Sequence, residues 1–109
     1  MDTTQLLKGV LDTAVLAVLG RGGPTYGYDL VRRLRAAGFE DVGDASVYGT
    51  LRRLFGSGLL TSEIVPSGEG PPRKYYGINA KGRDSLEVSR KAWSEFTGIM
   101  NSLLEGEEE

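Results

Sequence analysis

Apolar positions recur at helical spacing through the first part of the chain. Leu6, Leu7, Val10, Leu11, Ala14, Val15, Val18 and Leu19 spread far enough round one axis to predict a helix covered on more than one side, and Gly20-Arg21-Gly22-Gly23-Pro24 ends it. Thr25 is placed to cap a second helix that carries Tyr28, Leu30, Val31 and Leu34 inward, leaves Arg32, Arg33 and Arg35 to solvent and stops at Gly38. Asp44 opens a third helix in the same way. Its apolar set is Val47, Leu51, Leu54 and Phe55, and Gly56-Ser57-Gly58 closes it, which leaves Ala45, Ser46, Tyr48, Gly49, Arg52 and Arg53 on the outer side.

The pattern then changes period. Thr61 to Val65 and Arg73 to Ile78 are rich in β-branched and aromatic residues, with the Gly/Pro-rich segment 66–72 as a long hairpin tip. Alternation assigns Tyr76 and Ile78 to the core face and Tyr75 and Gly77 to the other. Asn79 caps a last helix running from Ala80 to about Leu104. There Leu86, Trp93, Phe96, Met100 and Leu103 form a seam with steps near three and four, Ser89 filling the gap, of the kind that takes a partner helix. The predicted class is mostly α with a small β-hairpin (α+β), divided into a winged helix-turn-helix unit over 1–79 and a dimerisation helix with an acidic tail over 80–109.

Composition narrows the chemistry. With neither Cys nor His in 109 residues, thiolate nucleophiles, the usual zinc sites and His-based relays are excluded, and no enzyme is expected. Acidic groups such as Asp41 with Asp44, or Glu107 with Glu108, lack a His partner, so no catalytic or metal site and no cofactor is expected there. The apolar run from Leu6 to Leu19 falls short of the roughly 20 residues a bilayer needs and is broken by Lys8 and Asp12, so a soluble, cytoplasmic protein is expected. A chain of this length makes one compact unit, which gains core by pairing with a second copy. Net charge is −2, but its distribution matters more: residues 1–83 carry eleven Lys/Arg against eight Asp/Glu, and residues 84–109 two against seven.

Three helices and a hairpin make the winged helix-turn-helix layout, whose third helix enters a DNA major groove while the hairpin tip reaches along the backbone or into the minor groove. Ser46 and Tyr48 offer hydroxyls, Gly49 lets a duplex approach closely, Arg52 and Arg53 supply cations, and Arg73, Lys74 and Tyr75 form a clamp beside the tip. An ordinary solvated charged face explains the two helix arginines equally well.

Four runs, Tyr26-Gly27-Tyr28-Asp29-Leu30, Val47-Tyr48-Gly49-Thr50-Leu51-Arg52-Arg53-Leu54, Gly58-Leu59-Leu60 and Arg73 to Gly82, together resemble the PadR family of bacterial transcriptional regulators, in its short form with one carboxy-terminal helix. The resemblance implies a homodimeric repressor on an inverted-repeat operator, with Tyr48 as the recognition-helix tyrosine and Arg73, Tyr75 and Tyr76 as the wing pattern. Gly49 stands where the family usually has Pro, Ala45 where Gly is frequent, and Asn79 where Thr is expected, so no operator preference carries over.

The dimer interface is expected to use Leu6, Val10, Leu86, Trp93, Phe96, Met100 and Leu103. Trp93, the single tryptophan, reads as interface core; the resemblance adds a second reading, in which Trp93, Phe96 and Met100 hold an aromatic or hydrophobic effector. A winged-helix module for a protein partner, or a regulator with no effector, remains an alternative.

Overall fold

The computed structural model describes residues 4–106. Helix α1 (Thr4–Gly22) is followed by a two-residue strand β1 (Thr25–Tyr26), helices α2 (Gly27–Ala36) and α3 (Asp44–Gly56), strands β2 (Leu60–Ser67) and β3 (Gly70–Ile78), and the long helix α4 (Ala80–Glu105). The three strands form one antiparallel sheet in the order β1-β3-β2.

Helix α1 is apolar nearly all round because α2, α3, β3 and α4 all pack on it. Val15, Leu16 and Leu19 of α1 meet Leu30 and Leu34 of α2 and Val47 and Leu51 of α3 in the most deeply buried part of the core. Gly23 (φ +79°) then turns the chain into β1.

The first departure from expectation is here. Thr25 pairs with Tyr76 and Tyr26 with Tyr75, a strand too short to show any alternation in sequence. Thr25 therefore caps nothing; Tyr26 occupies the N-cap of α2, and the Thr25 hydroxyl instead donates to Asp29 Oδ2 at 2.7 Å. Tyr28, expected inward, is 61% exposed, because helix α2 starts one residue after Tyr26 and turns its 30, 31 and 34 positions to the core.

Asp44 is likewise the first residue of α3, not its cap, which is Gly43. Its carboxylate accepts from Arg35 Nη2, and the same guanidinium donates to the Val42 carbonyl, both at 2.9 Å, so the turn from α2 to α3 is clamped from within. Val47, Leu51 and Leu54 are buried as expected, and Thr50 joins them by returning its hydroxyl to the Ser46 carbonyl at 2.8 Å. Phe55 is not core; it lies half-exposed, edge-on to Tyr76 with ring centres 6.3 Å apart.

The predicted seven-residue tip is mostly strand. β2 and β3 continue to Ser67 and Gly70, with an irregularity between Val65 and Ser67 that accommodates Pro66, and only Gly68 and Glu69 turn the chain. Gly68 at φ +77° supplies the left-handed first position that a two-residue hairpin needs. A long loop is therefore no reason to assign this hairpin a clamp role. Tyr76 is buried as predicted, but so is Gly77, which faces Pro24 and the Thr61 hydroxyl.

Asn79 caps α4 as predicted, its Oδ1 accepting from Gly82 N at 2.8 Å. Gly82 sits so close to the Leu59 carbonyl that a β-carbon there would overlap it. Leu86 packs α4 on the core, the helix then flanks α1 as far as Phe96, and the molecule measures 61 Å along its major axis. No helix among the described residues is long and apolar enough to cross a membrane.

Candidate functional site

Side chains three and four apart share a helix face, so burying Val47, Leu51 and Leu54 turns Tyr48 and Arg52 outward together. Ser46, Ala45 and Gly49 complete that side. Gly49 has open space above it, the nearest atom to a β-carbon there being Arg52 Nη2 at 3.9 Å.

Arg53 behaves differently. It is held by Asp12 of α1 through two parallel bonds, Nη1 to Oδ2 at 2.7 Å and Nη2 to Oδ1 at 2.9 Å. This bidentate pair ties α3 to α1 and engages the guanidinium that sequence reasoning assigned to the outer face. Tyr48 lies toward the opposite edge of the helix, where it meets the start of α2 and the sheet in a cleft of about 400 Å³ lined by Tyr26, Gly27, Tyr28, Tyr48, Arg73, Lys74 and Tyr76.

The short strand β1 explains how that cleft is built. Pairing Tyr26 with Tyr75 brings the two rings to 5.3 Å, and the Arg73 guanidinium lies over the Tyr26 ring at 4.4 Å. Lys74 Nζ is 5.6 Å from the Phe55 ring and 5.5 Å from Tyr76. Both cations are thus oriented by aromatic faces, worth about 0.5–1 kcal/mol each at exposed sites, while their side chains stay open to solvent. Tyr75 is half-buried and supports Tyr26 with its ring. Tyr28, expected inward, is instead a free-standing wall of the cleft.

Below it, Asp29 organises the first turn of α2. The Thr25 hydroxyl holds its carboxyl below the ordinary carboxylate range, assisted by Arg32 and Arg33 and opposed by desolvation. Arg32 reaches Oδ1 at 2.9 Å and Arg33 Oδ2 at 2.7 Å. The three arginines of this helix are therefore not an idle solvated face: two serve Asp29 and Arg35 clamps the next turn. Asp44, once weighed as an acidic cluster with Asp41, is engaged by that same Arg35, whereas Glu107 and Glu108 lie outside the described residues.

Comparison with known proteins bears directly on this face. The sequence profile of the family described as "Transcriptional regulator PadR-like family" matches residues 15–88, which span α1 to the first part of α4. The chain belongs to the PadR-like family. A PadR-like transcriptional regulator from Bacillus cereus strain ATCC 14579 superposes with a TM-score of 0.82 at 37% identity, over 94% of this chain and 99% of that one. A PadR family regulator from Eggerthella lenta DSM 2243 gives 0.83 at 34% identity, over 94% and 88%. An uncharacterised protein of Lysinibacillus sphaericus is 26% identical over 108 residues, 97% of this chain and 98% of that one.

As a PadR-like transcriptional regulator, the chain is a winged-helix protein of a DNA-binding regulatory family, and β2–β3 is its wing. The second region singled out by sequence shares no lining residue with that cleft. Gln5, Leu6, Gly9, Val10, Thr13, Ser89, Ala92, Trp93 and Phe96 line a groove of about 640 Å³ between α1 and α4, with Trp93 and Phe96 stacked at 5.9 Å. Leu6, Val10, Trp93 and Phe96 are thus brought together. Met100 and Leu103 lie farther along α4, outside that groove, and Leu86 is turned to the subunit's own core. Val88, Ile99 and Leu104 are exposed as well, so the apolar side of α4 is wider than the seam read from sequence.

Proposed function

We propose that this chain is a homodimeric repressor that lays α3 in the major groove of an inverted-repeat operator and sets the wing on the adjoining backbone. The observation that carries this reading is the gathering of Tyr48 of α3 with Arg73 and Lys74 of β3 in one open cleft, with Arg52 exposed one turn along α3 from Tyr48. Arg52 reads a base edge or neutralises a phosphate; Arg73 and Lys74 act on phosphates, and Ser46 and Tyr48 donate hydroxyls. The exposed apolar side of α4, joined by Leu6 and Val10, supplies the subunit contact. Two-fold symmetry then sets the two copies of α3 in successive major grooves, about 34–36 Å apart.

Binding to a palindromic duplex, followed as a function of salt, tests the reading. Contact with about 6 to 10 phosphates predicts a loss of roughly a thousandfold or more between 50 and 200 mM salt. A flat salt response, or a full-length chain that sediments as a monomer, rejects it.

A small aromatic effector is the finer part of the proposal, favoured by the groove in which Trp93 and Phe96 stack. A ligand there that prefers one subunit spacing shifts operator affinity by its differential affinity for the two spacings. Planar aromatics that leave Trp93 fluorescence and operator binding unchanged rule it out.

A further inference from the structure

Gly27 opens α2 and is buried against the edge of the Tyr48 ring. A β-carbon at this position would collide with the Cε1–Cδ1 edge of that ring and stand 3.1 Å from Cζ. The backbone gives no other reason for glycine, since Gly27 is not among the residues with positive φ. Its case differs from that of Gly82, where the obstacle is a main-chain carbonyl, and from that of Gly49, where there is no obstacle.

We propose that Gly27 is a positioning residue for DNA binding: its bare α-carbon is the seat against which the edge of the Tyr48 ring rests, and this seat aims the Tyr48 hydroxyl into the cleft beside Tyr28, Arg73 and Lys74. The inference rests on the proposed function and adds to it a determinant on α2, outside both recognition helix and wing. A methyl group at 27 meets a side chain that can swing about its χ1 torsion, so the fold survives while the ring moves. The hydroxyl then leaves its place. Rotation about χ1 carries a phenol oxygen by several ångströms, well beyond the range of a hydrogen bond.

The test is a double-mutant cycle of Gly27→Ala and Tyr48→Ala in the full chain, read on the duplex that the wild-type chain selects from a random-sequence pool. Gly27→Ala is expected to lower affinity by about tenfold or more, the worth of a well-made polar contact to DNA, at an unchanged unfolding midpoint. In the Tyr48→Ala background the same change is expected to do nothing further. An independent readout needs no DNA: the Gly27 α-protons lie against the aromatic ring, so their NMR resonances should carry a ring-current shift in the wild type that relaxes on Tyr48→Ala.

A wild-type chain that selects no duplex overturns the proposed function and this inference with it. Selection by the wild type, combined with equal losses from Gly27→Ala in both backgrounds, overturns the inference alone. So does a Gly27→Ala chain that binds as the wild type does, or one that fails to fold, because ring displacement is the only consequence the seat allows.

Discussion

Replacing Gly49 by Ala separates two explanations of a glycine in the interior of α3. Glycine is less favourable than alanine in a helix by about 0.8–1 kcal/mol, since it has more backbone freedom to lose. An added β-carbon would have only Arg52 Nη2 near it, at 3.9 Å, so no packing cost offsets that gain. Gly49→Ala is therefore expected to stabilise the subunit by about 1 kcal/mol, which raises the melting temperature of a domain this size by roughly 4–8 °C. Denaturation at fixed protein concentration, so that subunit association is held constant, measures this. If a duplex approaches the α3 backbone as proposed, the methyl stands in its path, and operator affinity should fall about tenfold while stability rises. Opposite signs in the two assays are the signature. A stabilised variant with full affinity would refute close approach at Gly49, and a destabilised one would refute the open space above it.

Arg52→Ala should weaken operator binding and relax base preference, whereas Arg73→Ala should weaken it evenly across sequences and lower the salt slope by about 1; competition with mutated half-sites distinguishes the two. Asp29 has a folded-state pKa below its unfolded value, so its contribution is complete above the ordinary carboxylate pKa, near 4, and disappears as pH falls through the lowered value. Asp29→Asn should accordingly flatten the acid side of a stability-against-pH curve, read as urea midpoints, and cost about 1–3 kcal/mol near neutrality. Met100→Asp combined with Leu103→Asp puts two charges on the exposed side of α4; sedimentation should show monomers with unchanged helical content and lost operator binding.

What was legible in the sequence follows from how local each signal is. Val47, Leu51 and Leu54 mark the inner face of α3 because burial there repeats with the helix itself, and Asn79 and Gly38 mark ends through local bonding. Strand β1 was invisible: it is two residues long, and its reason for existing is Tyr75 and Tyr76, some fifty positions away. Missing it also misplaced the role of Thr25 and the direction of Tyr28. Arg53 is exposed as the sequence implied, but its pairing with Asp12 was not legible, since Asp12 lies on another helix and no spacing announces the pair. The wing tip was misjudged because Pro66, Pro71 and Pro72 read as strand breakers, although edge strands and bulges accept proline. Of the candidate site, Tyr48, Arg52, Arg73 and Lys74 were found from sequence. Gly27 carries no signal of its own in the sequence, since the ring it meets stands twenty-one residues on.

The close approach of Gly82 to the Leu59 carbonyl has a consequence at the scale of the whole assembly. A hydrogen atom in place of a methyl group lets the rod leave the reading head at one fixed inclination, and over about 39 Å of helix a few degrees at its root become several ångströms at its end. In a symmetric pair both arms double that error. On the proposed operator the pitch of the double helix tolerates little of it, so the smallest residue in the chain would act as a gauge for the proposed one-turn spacing of the two heads.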